Sequence, residues 1–156
     1  VLEGFHLAEL NFGVLKYGWD DPRTQGFIDG LDMVNAVAAR SDGFIWRMSD
    51  DDMDAAQNDP AGVFGDPNTA ATLSVWRDYA ALHHFVFNTI HKRFFDRRRE
   101  WFDAVGNSNM VLWPVSPGHR PSLVEGMDRF HHWQRHGDTE TAFGWAFLKE
   151  SQAERP

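Results

Sequence analysis

Apolar side chains in this chain recur at every second position in some segments and at every third or fourth in others. Few architectures accept the order in which the two periods follow one another. Over residues 5–12 the period is two: Phe5, Leu7, Glu9 and Asn11 share one side, and His6, Ala8, Leu10 and Phe12 the other. A strand is expected there. Asp20-Asp21-Pro22 then places capping carboxylates before a proline, and Phe27, Leu31, Val34 and Ala38 follow at helical spacing, which predicts a helix over 22–40. Residues 43–48 and 69–77 read as strands joined by a long acidic loop over 49–67, rich in Asp, Gly, Pro and Asn and long enough to cover a site. With neither Gly nor Pro inside it, 78–103 reads as one helix. A strand over 109–115, a helix over 122–136 and a last strand over 142–148 complete the chain.

The order βαββαβ followed by αβ is the split-βαβ, ferredoxin-like arrangement of an α+β fold, with two helices on one face of a four-stranded antiparallel sheet. Apolar and aromatic residues fall on both sides of the expected strands, so the uncovered face is expected to meet a second copy in a homodimer. At 156 residues, a single domain spanning 1–156 is expected.

Charge and composition remove whole classes of partner. A net charge of −8 repels a phosphate backbone, and the basic cluster Lys92, Arg93, Arg97, Arg98 and Arg99 is interleaved with Phe94, Phe95, Glu100 and Trp101, so no nucleic-acid partner is expected. No apolar run approaches the roughly 20 residues that span a bilayer, and no membrane partner is expected either. The absence of cysteine and of a basic, apolar leader in residues 1–12 points to the cytoplasm. Aromatic residues reach 14%, with seven Trp and thirteen Phe, which suits a dense core or a pocket for a flat hydrophobic ligand.

The expected helix over 78–103 carries His84, His91 and Arg98 at intervals of seven, one stripe along its side with Phe87, Phe95 and Phe102 flanking it. Such polar groups bordering a buried face either line a cavity or are boundary residues satisfied by backbone and water. Glu9 and Asn11 project together from the first strand. Facing the helices, Glu9 would be desolvated and serve as a general acid or base near neutrality; at a strand edge it would pair with Arg47. Trp46, Trp76 and Trp113 sit on three strands, as walls of a flat pocket or as core. No metal site is expected: His132 and His136 share a helix face without a third ligand, and Asp50, Asp52 and Asp54 lack the turn glycine of a calcium loop, which is Ala55 here. Phosphate-binding glycine loops, a Gly-x-Ser-x-Gly elbow and a cysteine nucleophile are absent, and no organic cofactor is expected.

His6-Leu7-Ala8-Glu9-Leu10-Asn11, the string from His91 through Arg98-Arg99-Glu100-Trp101-Phe102, and Trp113-x4-Gly118-His119-x-Pro121 together resemble a bacterial domain-of-unknown-function family of the dimeric α+β barrel superfamily, over about residues 5–147. This chain departs from the family pattern at Pro114, where a second aromatic is usual, and at Ser116-Pro117. The superfamily includes cofactor-free antibiotic-biosynthesis monooxygenases, and the resemblance implies tailoring of aromatic polyketides. The expected function is therefore a cofactor-independent dehydratase or cyclase acting on a hydrophobic aromatic small molecule. In this reading His91 and Glu9 move protons, while Asn11, Trp46, Trp76, His84, Phe87, Arg98 and Trp113 bind substrate. Two alternatives stay open: a cofactor-free monooxygenase of the same fold, and a non-catalytic small-molecule-binding protein.

Overall fold

A computed structural model of the chain describes residues 2–59, 62–102 and 109–153. Strand β1 (His6–Val14) is central and pairs antiparallel with β3 (Thr69–Trp76) on one side and β4 (Met110–Val115) on the other, while β2 (Phe44–Arg47) pairs with β3 at the edge. The sheet order is β2-β3-β1-β4. The two strands joined by helix α1 (Gln25–Arg40) are thus split by β3, the ferredoxin-like α+β topology that the alternating periods predict. Asp21 accepts from the Arg23 N–H and caps the 3-10 turn Pro22–Thr24 that leads into α1, as the Asp-Pro signal requires.

Three segments depart from the sequence reading. Residues 50–58 form helix α2 (Asp50–Asn58) rather than loop. Ser49 caps it by accepting from the Asp52 N–H at 3.2 Å, and Asp50, Asp51 and Asp52 in its first turn complement the helix dipole. The helix expected over 78–103 is broken into α3 (Tyr79–Asn88), α4 (His91–Asp96) and a 3-10 turn (Arg98–Glu100); Asp103 lies outside the described residues. The β-branched Thr89 is extended at the break, and two carbonyls that α3 would leave orphaned find side chains instead: Thr89 Oγ1 donates to Phe85 O and His91 Nδ1 to Val86 O. The break lets α3 lie on the sheet while α4 turns Phe94 onto α1 at Gly30, where a Cβ would fall 2.1 Å from the Phe94 ring. The strand expected over 142–148 reduces to two isolated bridges, Ala142 with Thr139 and Phe143 with Leu112, after which α6 (Trp145–Ala153) begins.

Both faces of the sheet are covered. Ala8, Leu10, Leu73, Val75, Val111 and Trp113 point to one face, under Leu123, Met127 and Phe130 of α5 (Leu123–His136) and Met53 of α2. Leu7, Trp76 and Leu112 point to the other, under Ala38 of α1, Leu82, Phe85 and Val86 of α3, Phe143, and Leu148 of α6. A third cluster of Leu15, Ala70 and Trp101, with Phe27, Phe94 and Phe102 against it, closes the far end of that second face. The bare sheet face from which the homodimer is expected is therefore occupied by α2 and α5 of the same chain, and the physical argument for that assembly goes with it.

Candidate functional site

The period-two alternation of β1 sends Glu9 to the face covered by α3. Its cross-strand neighbours there are Ser74 of β3 and Leu112 of β4. Glu9 is 8% exposed. Thr72 Oγ1 donates to Glu9 Oε1 at 3.2 Å, Ser74 Oγ donates to Oε2 at 3.4 Å, and the Trp76 indole N–H donates to Ser74 Oγ at 3.0 Å. Both bonds to the carboxyl are long for a hydroxyl meeting a carboxylate. Among the described residues no cation stands within ion-pair distance of Glu9; Arg47, its expected partner, bonds Asp50 at 3.0 Å and the Met48 carbonyl at 3.2 Å. Desolvation therefore outweighs the two hydroxyls and pushes the carboxyl up to about 7. Asn11 and Thr72, paired across β1 and β3, are exposed. The carboxyl lies one pleat from solvent, between the Trp76 end of the face and the Phe102 ring that lies over Gly13.

His91 opens α4. A carbonyl can only accept, so the contact to Val86 O at 3.1 Å places the proton on Nδ1 and leaves Nε2 a free lone pair in the neutral ring. Burial lowers the imidazole below its ordinary value, and neutral is the form held near pH 7. Its ring lies 5.0 Å from Phe85 and 6.4 Å from Phe95. Phe85 in turn stacks on Trp76 at 5.0 Å. Glu9 and His91 thus belong to one layer, joined through Ser74, Trp76 and Phe85 and not by a direct hydrogen bond.

The remaining sequence candidates separate. Arg98 stays with His91: its guanidinium carbon lies 4.2 Å over the Phe95 ring and its Nη1 donates to Phe95 O. His84 turns to solvent, because the helix break ends the stripe. Phe87 joins His83 and Trp145 in a half-buried aromatic group. Trp46 and Trp113 lie on the opposite face of the sheet from Trp76, so the three do not wall one pocket: Trp46 is registered with Val75 and Trp113 with Ala8, residues of the other parity. The sequence reading missed Thr72 and Ser74, although polar residues at alternate positions of an apolar strand mark the side that Trp76 shares. It also missed Glu125, three residues after the capping Ser122, which accepts from the Trp113 N–H at 3.0 Å and meets His119 Nε2 at 2.8 Å. The His132 and His136 rings lie 4.5 Å apart, tilted by 45°, and among the described residues no group of three or more His, Cys, Asp or Glu is placed to hold a metal ion. No helix among them is long and apolar enough to cross a membrane.

The family model for a domain of unknown function, DUF3291, matches residues 6–155. The chain belongs to this family. The DUF3291 fold is shared with two solved structures, each at a TM-score of 0.50 and 13% identity: a conserved protein from Methanosarcina mazei Go1, with 72% of this chain and 94% of that one covered, and a protein of unknown function from Nitrosomonas europaea, with 76% and 97% covered. No curated protein matches the DUF3291 chain.

Proposed function

We propose that this DUF3291 domain is a cofactor-independent acid/base enzyme, a dehydratase or cyclase acting on a hydrophobic aromatic small molecule of the polyketide type. The observation that carries the reading is Glu9, a carboxyl buried without a cation, raised to about 7 and one residue pair from solvent. Such a group is protonated or ionised in comparable amounts at neutral pH, the condition under which a carboxyl transfers protons in both directions. In a dehydration the free Nε2 of His91 takes the proton from carbon, the C–O bond breaks as the double bond forms, and protonated Glu9 supplies the hydrogen with which hydroxide leaves as water. Arg98 stays charged and holds an anionic enolate or phenolate oxygen; Trp76 and Phe87 are the ring contacts and Asn11 stands at the entrance.

The test uses an aryl β-hydroxyketone, whose loss of water gives a conjugated enone visible by absorbance. Wild-type protein accelerates the loss, and Glu9→Gln or His91→Ala, folded by circular dichroism, lowers the rate by about 10² to 10⁴-fold. Folded variants that keep more than about half the wild-type rate overturn the assignment. One observation favours a second reading, that of a non-catalytic binder: His91 Nδ1 caps α3, a purely structural task. In that case the β-hydroxyketone binds and is recovered unchanged.

A further inference from the structure

Seven residues beyond Glu9 along the chain, past the end of β1, an open groove of about 510 Å³ lies between the segment after β1, the entry to α1 and the turn after α4. Its volume is that of a small-molecule site. Three cations reach it from separate segments: Lys16, Arg23 and Arg97. Arg23 is fixed by a two-point pair with Asp21 at 2.9–3.0 Å and lies 3.5 Å over the Tyr17 ring; Arg97 is fixed by Glu100 at 2.7 and 3.2 Å and lies 4.8 Å over the Trp101 ring. Lys16 has no ion pair among the described residues, although its backbone N–H is tied to Trp101 O at 2.8 Å.

Trp101 supplies the second, independent observation. It is 3% exposed, as deeply buried as Trp76 and Trp113, whose indole N–H groups donate to Ser74 and Glu125. The ring of Trp101 is buried but its N–H reaches solvent, and it has no acceptor among the described residues, so it is left free to donate into the groove that Trp101 lines. It faces Gly26: the Trp101 Nε1 and an Arg97 guanidinium nitrogen each lie 3.8 Å from where a Cβ on Gly26 would stand, so two donors converge on a spot kept open by the missing side chain. Three cations set against Asp21 and Glu100 leave one positive charge, which matches a monoanion. The guanidinium of Arg23, lying on a ring by one face, presents the other to a further planar group.

We propose that this groove binds a small aromatic carboxylate, its anionic oxygens taken by the Trp101 N–H, Arg97 and Lys16 and its ring laid on the open face of Arg23. The site is separate from Glu9 and does not depend on the proposed reaction. The probe is 2-naphthoate, followed by the seven indole N–H signals in two-dimensional NMR, with 2-naphthamide as the neutral control. Naphthoate shifts the Trp101 signal saturably and naphthamide does not; Lys16→Gln and Arg97→Gln each weaken binding by about tenfold or more, the size of one charge-assisted bond. Glu9→Gln leaves binding unchanged. Equal binding of naphthamide, a response centred on Trp76, or unaltered affinity in both folded cation variants overturns the site. Displacement of naphthoate by equimolar inorganic phosphate overturns its aromatic half.

Discussion

On one face of the sheet Ala8, Leu10, Val75, Val111 and Trp113 meet α5, and the Trp113 N–H is led out of the core to Glu125. On the other face, built from the alternate residues of the same strands, Leu7, Trp76 and Leu112 share the surface with Glu9, Ser74 and Thr72. The difference teaches how one sheet keeps folding and chemistry apart. A strand of period two can pack a fully apolar side while holding a desolvated carboxyl on its reverse, provided the apolar side supplies the stability that the carboxyl removes.

The sharpest break of this comparison is Trp113→Ala. Emptying a fully buried indole site should lower stability by about 3–5 kcal/mol in chemical denaturation. A loss below about 1 kcal/mol would show that the α5 face is not the load-carrying one. Next comes Glu9. Its carboxyl titrates near 4.5 when unfolded and about 7 when folded, so the folded state holds the extra proton between those values. The stability this carboxyl contributes is full below about pH 4.5 and is lost as pH rises through 7, about 3 kcal/mol in all. Glu9→Gln should remove that fall and leave the opposite slope of His91, and a pH profile that the substitution does not change would mean that the carboxyl is solvated. His91 works with the opposite sign. Burial lowers its folded value, so the unfolded state takes up more protons in acid, and stability falls as pH drops through and below the unfolded value of 6.5. Replacing it by Gln should remove that acid-side loss and leave the fall between about pH 4.5 and 7 to Glu9. The smallest effect belongs to His84→Ala at an exposed position, within about 0.5 kcal/mol at any pH.

The sequence discloses the two faces of β1 because alternation is a property of single residues: Leu7 and Glu9 necessarily share a side, and Glu9 is buried there as its position implies. It does not disclose register. Nothing in the residues around Trp113 says that it stands opposite Ala8 and not opposite Leu7, and one step of register moves an indole from one face to the other. The stripe His84, His91, Arg98 fails for a related reason. Helical spacing presumes a continuous helix, and the break at Thr89 is set by the tertiary contact of Phe94 with Gly30, which no local pattern reports. Helix α2 is different, since Ser49 followed by three aspartates is a legible cap that the acidic, Gly- and Pro-containing surroundings obscure.

The central position of β1 also sets the order of events during synthesis. Its partners are registered about 60 to 100 residues later, Leu7 with Trp76 and Pro114, so β1 leaves the ribosome well before the strands that enclose it. At about 5–20 residues per second, several seconds pass between the emergence of β1 and that of β4. Such distant pairings make for slow folding of the isolated chain. Throughout that interval Glu9 is an ordinary ionised carboxylate in water, whose charge keeps an unpaired apolar strand from joining its copies on neighbouring nascent chains.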